Sequence, residues 1–153
     1  MSDTAEPLLT ERRRWLSVLA RAGRDELEAL LAERPDSGAA VMPVRPAEIG
    51  MVMVRGRIGG TGAAFNLGEA SVVRCAVRVG QELGVGYALG RDRRKAELIA
   101  LFDALLQEPA HRSDLQRSVI EVLERRQDEQ RRAAAHATAA SKVEFFTLMR
   151  GEA

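Results

Sequence analysis

Apolar residues recur along the chain with two different periods, and the switches between them mark the elements. In the first forty residues Trp15, Leu16, Val18, Leu19 and Ala22 form one stripe, with Arg12, Arg13, Arg14 and Arg21 in the intervening positions. That spacing predicts an amphipathic helix ended by Gly23. Asp25 is placed to cap a second short helix with Leu27, Leu30 and Leu31 as its stripe, and Pro35 closes the pair as a turn. Residues 1–40 therefore read as a helical cap over another layer.

From Val41 the period falls to two. Val41–Arg45 is a candidate strand that Pro43 demotes to an edge. Gly50–Ile58 is a second, with Met51, Met53 and Arg55 on one face and Val52, Val54 and Gly56 on the other. In Ser71–Val79 the residues Val73, Cys75, Val77 and Val79 alternate with Arg74, Ala76 and Arg78, the pattern of a sheet buried on one face. Gly80–Gly84 reads as a hairpin connection into a strand over Val85–Leu89.

After Asp92, a natural N-cap, the helical period returns. Ala96, Ile99, Ala100, Phe102, Leu105 and Leu106 form an apolar side that stops before Pro109. Leu115, Val119, Val122 and Leu123 begin a further stripe over residues 114–140, but Glu124–Arg132 contains no apolar residue and Ala133–Ala140 only small ones. Such a helix is a solvated rod or a surface that another subunit covers. The segment Val143–Met149, with Phe145 and Phe146, is apolar and β-prone. Either it returns as a strand, or Val143, Phe145, Phe146 and Met149 dock on a partner.

The fold expected is α+β in one domain over residues 1–153. An antiparallel sheet of four or five strands (41–90) carries helices on one face (91–140), and the C-terminal segment (141–153) is extended.

Composition narrows the function classes. Hydrophobic residues make up 46% of the 153 and charged ones 29%, a globular balance, while aromatics at 4% leave the core to Leu, Val, Ala and Met. The net charge of +1 excludes a chain-wide polycation for nucleic acid. Yet residues 41–95 hold nine basic groups against four acids, a net of +5, so an anion would meet the middle of the chain. The single cysteine, Cys75, excludes an internal disulfide and a Cys-rich metal site. His111 and His136 have no ligand spacing, so no metal is expected. No apolar run approaches the roughly 18 residues that span a bilayer, and no signal segment precedes the first helix, which points to the cytoplasm.

Two segments carry candidate chemistry. In Arg57-Ile58-Gly59-Gly60-Thr61-Gly62, the glycines free the backbone to aim several N–H groups at one anion, with Thr61 and Arg57 beside them. The segment lacks the Lys-Ser/Thr of a Walker loop and the third small residue of a dinucleotide fingerprint. Taken by itself, the segment fits a β-turn chosen for geometry alone better than an anion site. In Leu89-Gly90-Arg91-Asp92-Arg93-Arg94-Lys95, four cations crowd a helix N-terminus and oppose its dipole unless an anion, acid or partner compensates. No catalytic triad or acid pair stands out.

These residues resemble a known family. Trp15-Leu16-Ser17-Val18-Leu19-Ala20, the loop from Arg57 with Phe65 and Leu67-Gly68-Glu69, Leu89-Gly90-Arg91-Asp92, and Lys142–Thr147 with Arg150-Gly151 occur in order. They look like the G-subunit (PhnG) family of the bacterial carbon–phosphorus lyase system for phosphonate breakdown. The resemblance implies a non-autonomous subunit of a core complex with H, I and J subunits, in closest contact with I. With an L subunit, that assembly transfers ribose triphosphate from ATP, supplied with Mg, to an alkylphosphonate and releases adenine. It implies no cofactor bound by this chain alone, no nucleic acid or membrane partner, and no specific catalytic residue. Arg57, Gly59, Gly60, Thr61, Gly62 and Arg91 remain the anion-binding candidates. The alternatives are an architectural adaptor without an active-site contact and a small anion- or nucleotide-binding module.

Overall fold

The computed structural model describes the backbone of residues 5–34 and 40–148. Helix α1 (Ala5–Arg21) buries Trp15, Val18 and Leu19, one side of a helix at the expected spacing. Helix α2 (Arg24–Ala32) starts one residue before Asp25, so Asp25 is not the cap. Gly23 takes the cap position in extended conformation, and the Glu26 carboxylate accepts its N–H at 3.4 Å. Asp25 instead places a negative charge in the first turn, where the helix dipole favours it. Pro35 lies outside the described residues.

The sheet has three strands in the order β1-β2-β3, all antiparallel, where four or five were expected. Two causes account for the difference. The candidate strands 41–45 and 50–58 are one element, β1 (Val41–Arg57), which runs through Pro43 and Pro46 by shifting register at Pro43/Arg45 and Arg45/Glu48. Proline survives there because β1 is an edge and an unpaired N–H is no loss. The segment 143–148 adds no strand because α5 (Glu121–Leu148) continues through it as helix. Once a helix is nucleated, each added residue gains a hydrogen bond, and this outweighs the β-propensity of a short apolar run. The side chains of Val143, Phe145 and Phe146, and all of Met149, lie outside the described residues.

Strand β2 (Ala64–Val79) alternates as its sequence requires, with Val73, Cys75, Val77 and Val79 buried and Arg74 and Arg78 exposed. Strand β3 (Glu82–Leu89) begins earlier than expected, after the two-residue turn Gly80-Gln81, with Gly84 paired to Val77 and Gly86 to Cys75. These glycines belong to the strand and serve packing. Helix α3 (Arg93–Gln107) lies so close to β3 that a Cβ at Gly84 would sit 1.9 Å from the Ala100 carbonyl oxygen. One at Gly86 would sit 1.9 Å from that of Ala96. Ala96, Ala100 and Ala104, at a four-residue interval on α3, complete this backbone-to-backbone seam.

Beyond α3 come α4 (Pro109–Leu115) and a π-helical turn (Gln116–Ile120) that leads into α5. The wider turn brings Val119, Ile120 and Leu123 together into the core, while Val122 stays half-buried. Core residues of α1, α2, α3 and the π turn thus meet on one side of the sheet, while Arg74, Arg78, Tyr87 and Leu89 are exposed on the other. From Glu129 to Ala139 every residue of α5 is exposed, as a solvated rod or an uncovered interface requires.

Candidate functional site

Strand β3 pairs with β2 only from Val72 to Val79, so the remainder of the β1–β2 hairpin projects as a two-stranded ribbon. The glycine loop forms its tip. Ile58–Gly60 makes one 3₁₀ turn with Gly59 at φ 62° and Gly60 at φ 79°, values at which a side chain is strained. The N–H groups of Thr61 and Gly62 both donate to the Ile58 carbonyl, the latter at 3.0 Å, and Arg57 Nη1 donates to the Gly62 carbonyl at 3.1 Å. The loop therefore satisfies itself as a tight turn. Of the candidate anion-binding N–H groups, those of Thr61 and Gly62 are already engaged.

Beside the turn lies a shallow open depression lined by Arg55, Gly56, Arg57, Gly60 and Ala64. Arg55 is the residue that the sequence reading missed. Its side chain joins that of Arg57 because the two lie two residues apart on one strand and share a face, as the period of two already implies. Two cations on a glycine-flanked concavity suit an anionic group such as phosphate or carboxylate.

Arg91 stands elsewhere. Gly90 N–H donates to the Ser71 carbonyl at 2.8 Å, which fixes the turn before α3 at the base of the ribbon. Seven residues of strand separate Ser71 from Ala64, about 20 Å at a strand's rise. The two basic segments share one end of the sheet but do not converge within this chain. Nor are all four cations uncompensated. Arg94 pairs with Glu28 of α2 at 2.7 Å, and Asp92 caps the helix by accepting from the Lys95 N–H at 3.0 Å. Half-burial pushes the Lys95 ammonium pKa down against the pull of Asp92. Arg91 and Arg93, both exposed, form no ion pair among the described residues.

One carboxylate stands apart from the solvent-exposed acids. Asp103 on α3 is fully buried. It accepts from Arg12 Nη2 at 2.7 Å and Nε at 3.1 Å, Trp15 Nε1 at 2.8 Å and the Val85 N–H at 2.9 Å. Gln107 Nε2 approaches at 3.5 Å. So enclosed, it ties α1, α3 and β3 together and has no path to a substrate. Cys75 lines a cleft of about 230 Å³ between β1 and α3, and burial lifts its thiol from 9.0 to about 11. Near neutral pH this favours the protonated thiol over the nucleophilic thiolate. Among the described residues no group of His, Cys, Asp and Glu could hold a metal ion, and no helix is long and apolar enough to cross a membrane.

Comparison with known proteins adds to this geometry. The family model described as phosphonate metabolism protein PhnG matches residues 10–151. The chain is also 46% identical, over 145 residues, to the alpha-D-ribose 1-methylphosphonate 5-triphosphate synthase subunit PhnG of Rhizobium meliloti (strain 1021). That alignment covers 94% of this chain and 92% of the relative.

Proposed function

This chain belongs to the PhnG family of phosphonate metabolism proteins, and from that premise we propose that it is one subunit of an α-D-ribose 1-methylphosphonate 5-triphosphate synthase. The observation that carries the reading is the 46% identity, which extends over nearly the full length of both chains. The chain is thus part of an enzyme assembly for organic phosphonate catabolism and has no turnover by itself.

In the proposed reaction a phosphonate oxygen attacks the anomeric carbon of the ATP ribose. The new C–O bond forms as the bond to adenine breaks, and adenine leaves with a proton. That chemistry needs triphosphate binding, an acid for the departing base and two reactants held in line. The one fully buried carboxylate among the described residues, Asp103, is sealed by its own donors and cannot serve as that acid. The acid, and most of the site, belong to the partners, for which the H, I and J subunits are proposed, with I in closest contact and L acting with them. ATP with its Mg is substrate of the assembly, and the location is cytoplasmic. What this chain offers is Arg55 and Arg57 at the end of an arm about 20 Å long, poised to add cations to an anion site built on a neighbour.

The test is adenine release from ATP and methylphosphonate by the co-expressed, purified assembly with and without this chain. Release that depends on the chain is the expected result, and an undiminished rate without it overturns the reading. A purely architectural role is favoured by one observation, the engagement of the Thr61 and Gly62 N–H groups within the turn. Replacing Arg55 and Arg57 together by Ala separates the two. A cation contribution raises the KM for ATP or phosphonate by about tenfold, the equivalent of one charge-assisted hydrogen bond; an architectural role leaves both KM values unchanged.

A further inference from the structure

The sheet has two edges, and the molecule treats them differently. On β3 two of the outward backbone groups, at Leu83 and Val85, are taken up inside the chain. The Leu83 carbonyl accepts from Gln107 Nε2 at 2.9 Å and Arg12 Nη2 at 3.2 Å, and the Val85 N–H donates to Asp103. On β1 the first half is broken by Pro43, Pro46 and two register shifts. These are devices by which proteins block edge pairing.

The stretch from Ile49 to Val54 has none of them, and the next register shift falls after it, between Val54 and Arg55. Ser71 gives its carbonyl to Gly90, on the β3 side, so odd-numbered residues of β2 face β3 and even-numbered ones face β1. Gly50, Val52 and Val54, paired with Val72, Ala70 and Gly68, therefore bond inwards. The N–H and C=O groups of Ile49, Met51 and Met53 point away from the sheet. Met51 is 61% exposed and Met53 52%, and no residue from Ile49 to Ala70 is buried. A two-stranded ribbon with no buried face is marginal in water.

We propose that Ile49–Met53 of β1 accepts a strand from another subunit of the synthase: an extended apolar segment with carboxylates at the end that reaches Arg55 and Arg57. This rests on the subunit reading above. Charge selects the occupant. The ribbon carries Arg55 and Arg57 against the single acid Glu69, with Arg91 and Arg93 exposed at its base. A second copy would bring the same arginines and too few acids to meet them, whereas an acidic strand complements them. Main-chain bonds supply the affinity, and the alternating Met and Val side chains supply the fit.

Amide hydrogen exchange on the unmodified chain, alone and in the purified assembly, tests the proposal. The Ile49, Met51 and Met53 amides are expected to exchange at least about a hundredfold more slowly in the assembly. Met51→Pro gives a second test, because it deletes an N–H that bonds to nothing in the free chain. It is expected to leave the melting temperature of the free chain within a few degrees while weakening assembly by about tenfold or more. Arg55→Glu is expected to weaken assembly too, more so at low salt. An assembly that forms and releases adenine while those amides exchange as in the free chain overturns the strand addition and leaves the subunit reading standing. Concentration-dependent protection in the chain alone overturns the named occupant in favour of a second copy. Adenine release that never requires this chain overturns the subunit reading itself.

Discussion

Asp103 shows how much can hang on one side chain. Two helices and the margin of a sheet meet at its two oxygens, where Arg12 and Trp15 of α1 and the Val85 N–H of β3 all donate. Asp103→Ala leaves Arg12 and the Trp15 N–H without their acceptor and is expected to cost about 3–5 kcal/mol, the usual loss when one partner of a buried pair goes. Urea unfolding measures it, and a loss under about 1 kcal/mol would show the network to be dispensable. The residue was half-legible in the sequence: it sits in the apolar run Ile99–Leu106, next to Phe102, while Trp15 on a buried stripe needs an acceptor for its N–H. What no local pattern reveals is that the two meet, because they are 88 positions apart. Cys75 was legible as a buried residue, and its thiol gives a pH test. Its raised pKa means that burying the neutral form stabilises fully below pH 9 and that this contribution is lost as pH rises through about 11. Unfolding free energies of Cys75→Ala are expected to fall less steeply across that window than those of the native chain. Equal slopes would refute the assignment.

At the scale of elements, the seam between α3 and β3 depends on the absence of two methyl groups. Gly86→Ala forces a Cβ onto the Ala96 carbonyl, and helix and strand must separate. The expected cost is about 3 kcal/mol or more, at the upper end for an overpacked core. A thermal melt within a degree or two of wild type would show that the seam yields. The Gly-Val-Gly of β3 reads as turn punctuation in one dimension, since glycine marks loops more often than close packing. Only the alanines at 96, 100 and 104 hint otherwise. The helices and the inner strand were legible because each buries one face and so keeps its period. The tail was not: Val143–Leu148 is too short for its period to distinguish strand from helix, and the helix preceding it decides.

In the whole molecule, charge clamps the helices across their outer surfaces. Arg14 of α1 holds Glu124 of α5 at 2.7 Å, Arg126 of α5 holds Glu26 of α2 at 2.9 Å, and Arg94 of α3 holds Glu28 of α2. Hydrogen bonding to arginine keeps the Glu124 and Glu28 carboxyls below the usual value of 4.5, with burial opposing it. Their contribution is therefore complete above pH 4.5 and is lost as pH falls through the depressed values. Melting temperature is expected to fall as pH drops below 4.5, less steeply in Glu124→Gln, and high salt is expected to shrink the difference. Identical profiles would show the clamp to be ornamental. The short reach of β3 has a consequence for the arm. A ladder of main-chain bonds that enters at Met51 passes to Ser71 of β2 and there leaves the native sheet, because β3 pairs with β2 only from Val72 onwards. A docked strand therefore turns the bare ribbon into a small three-stranded sheet of mixed parentage, whose third member the neighbour brings.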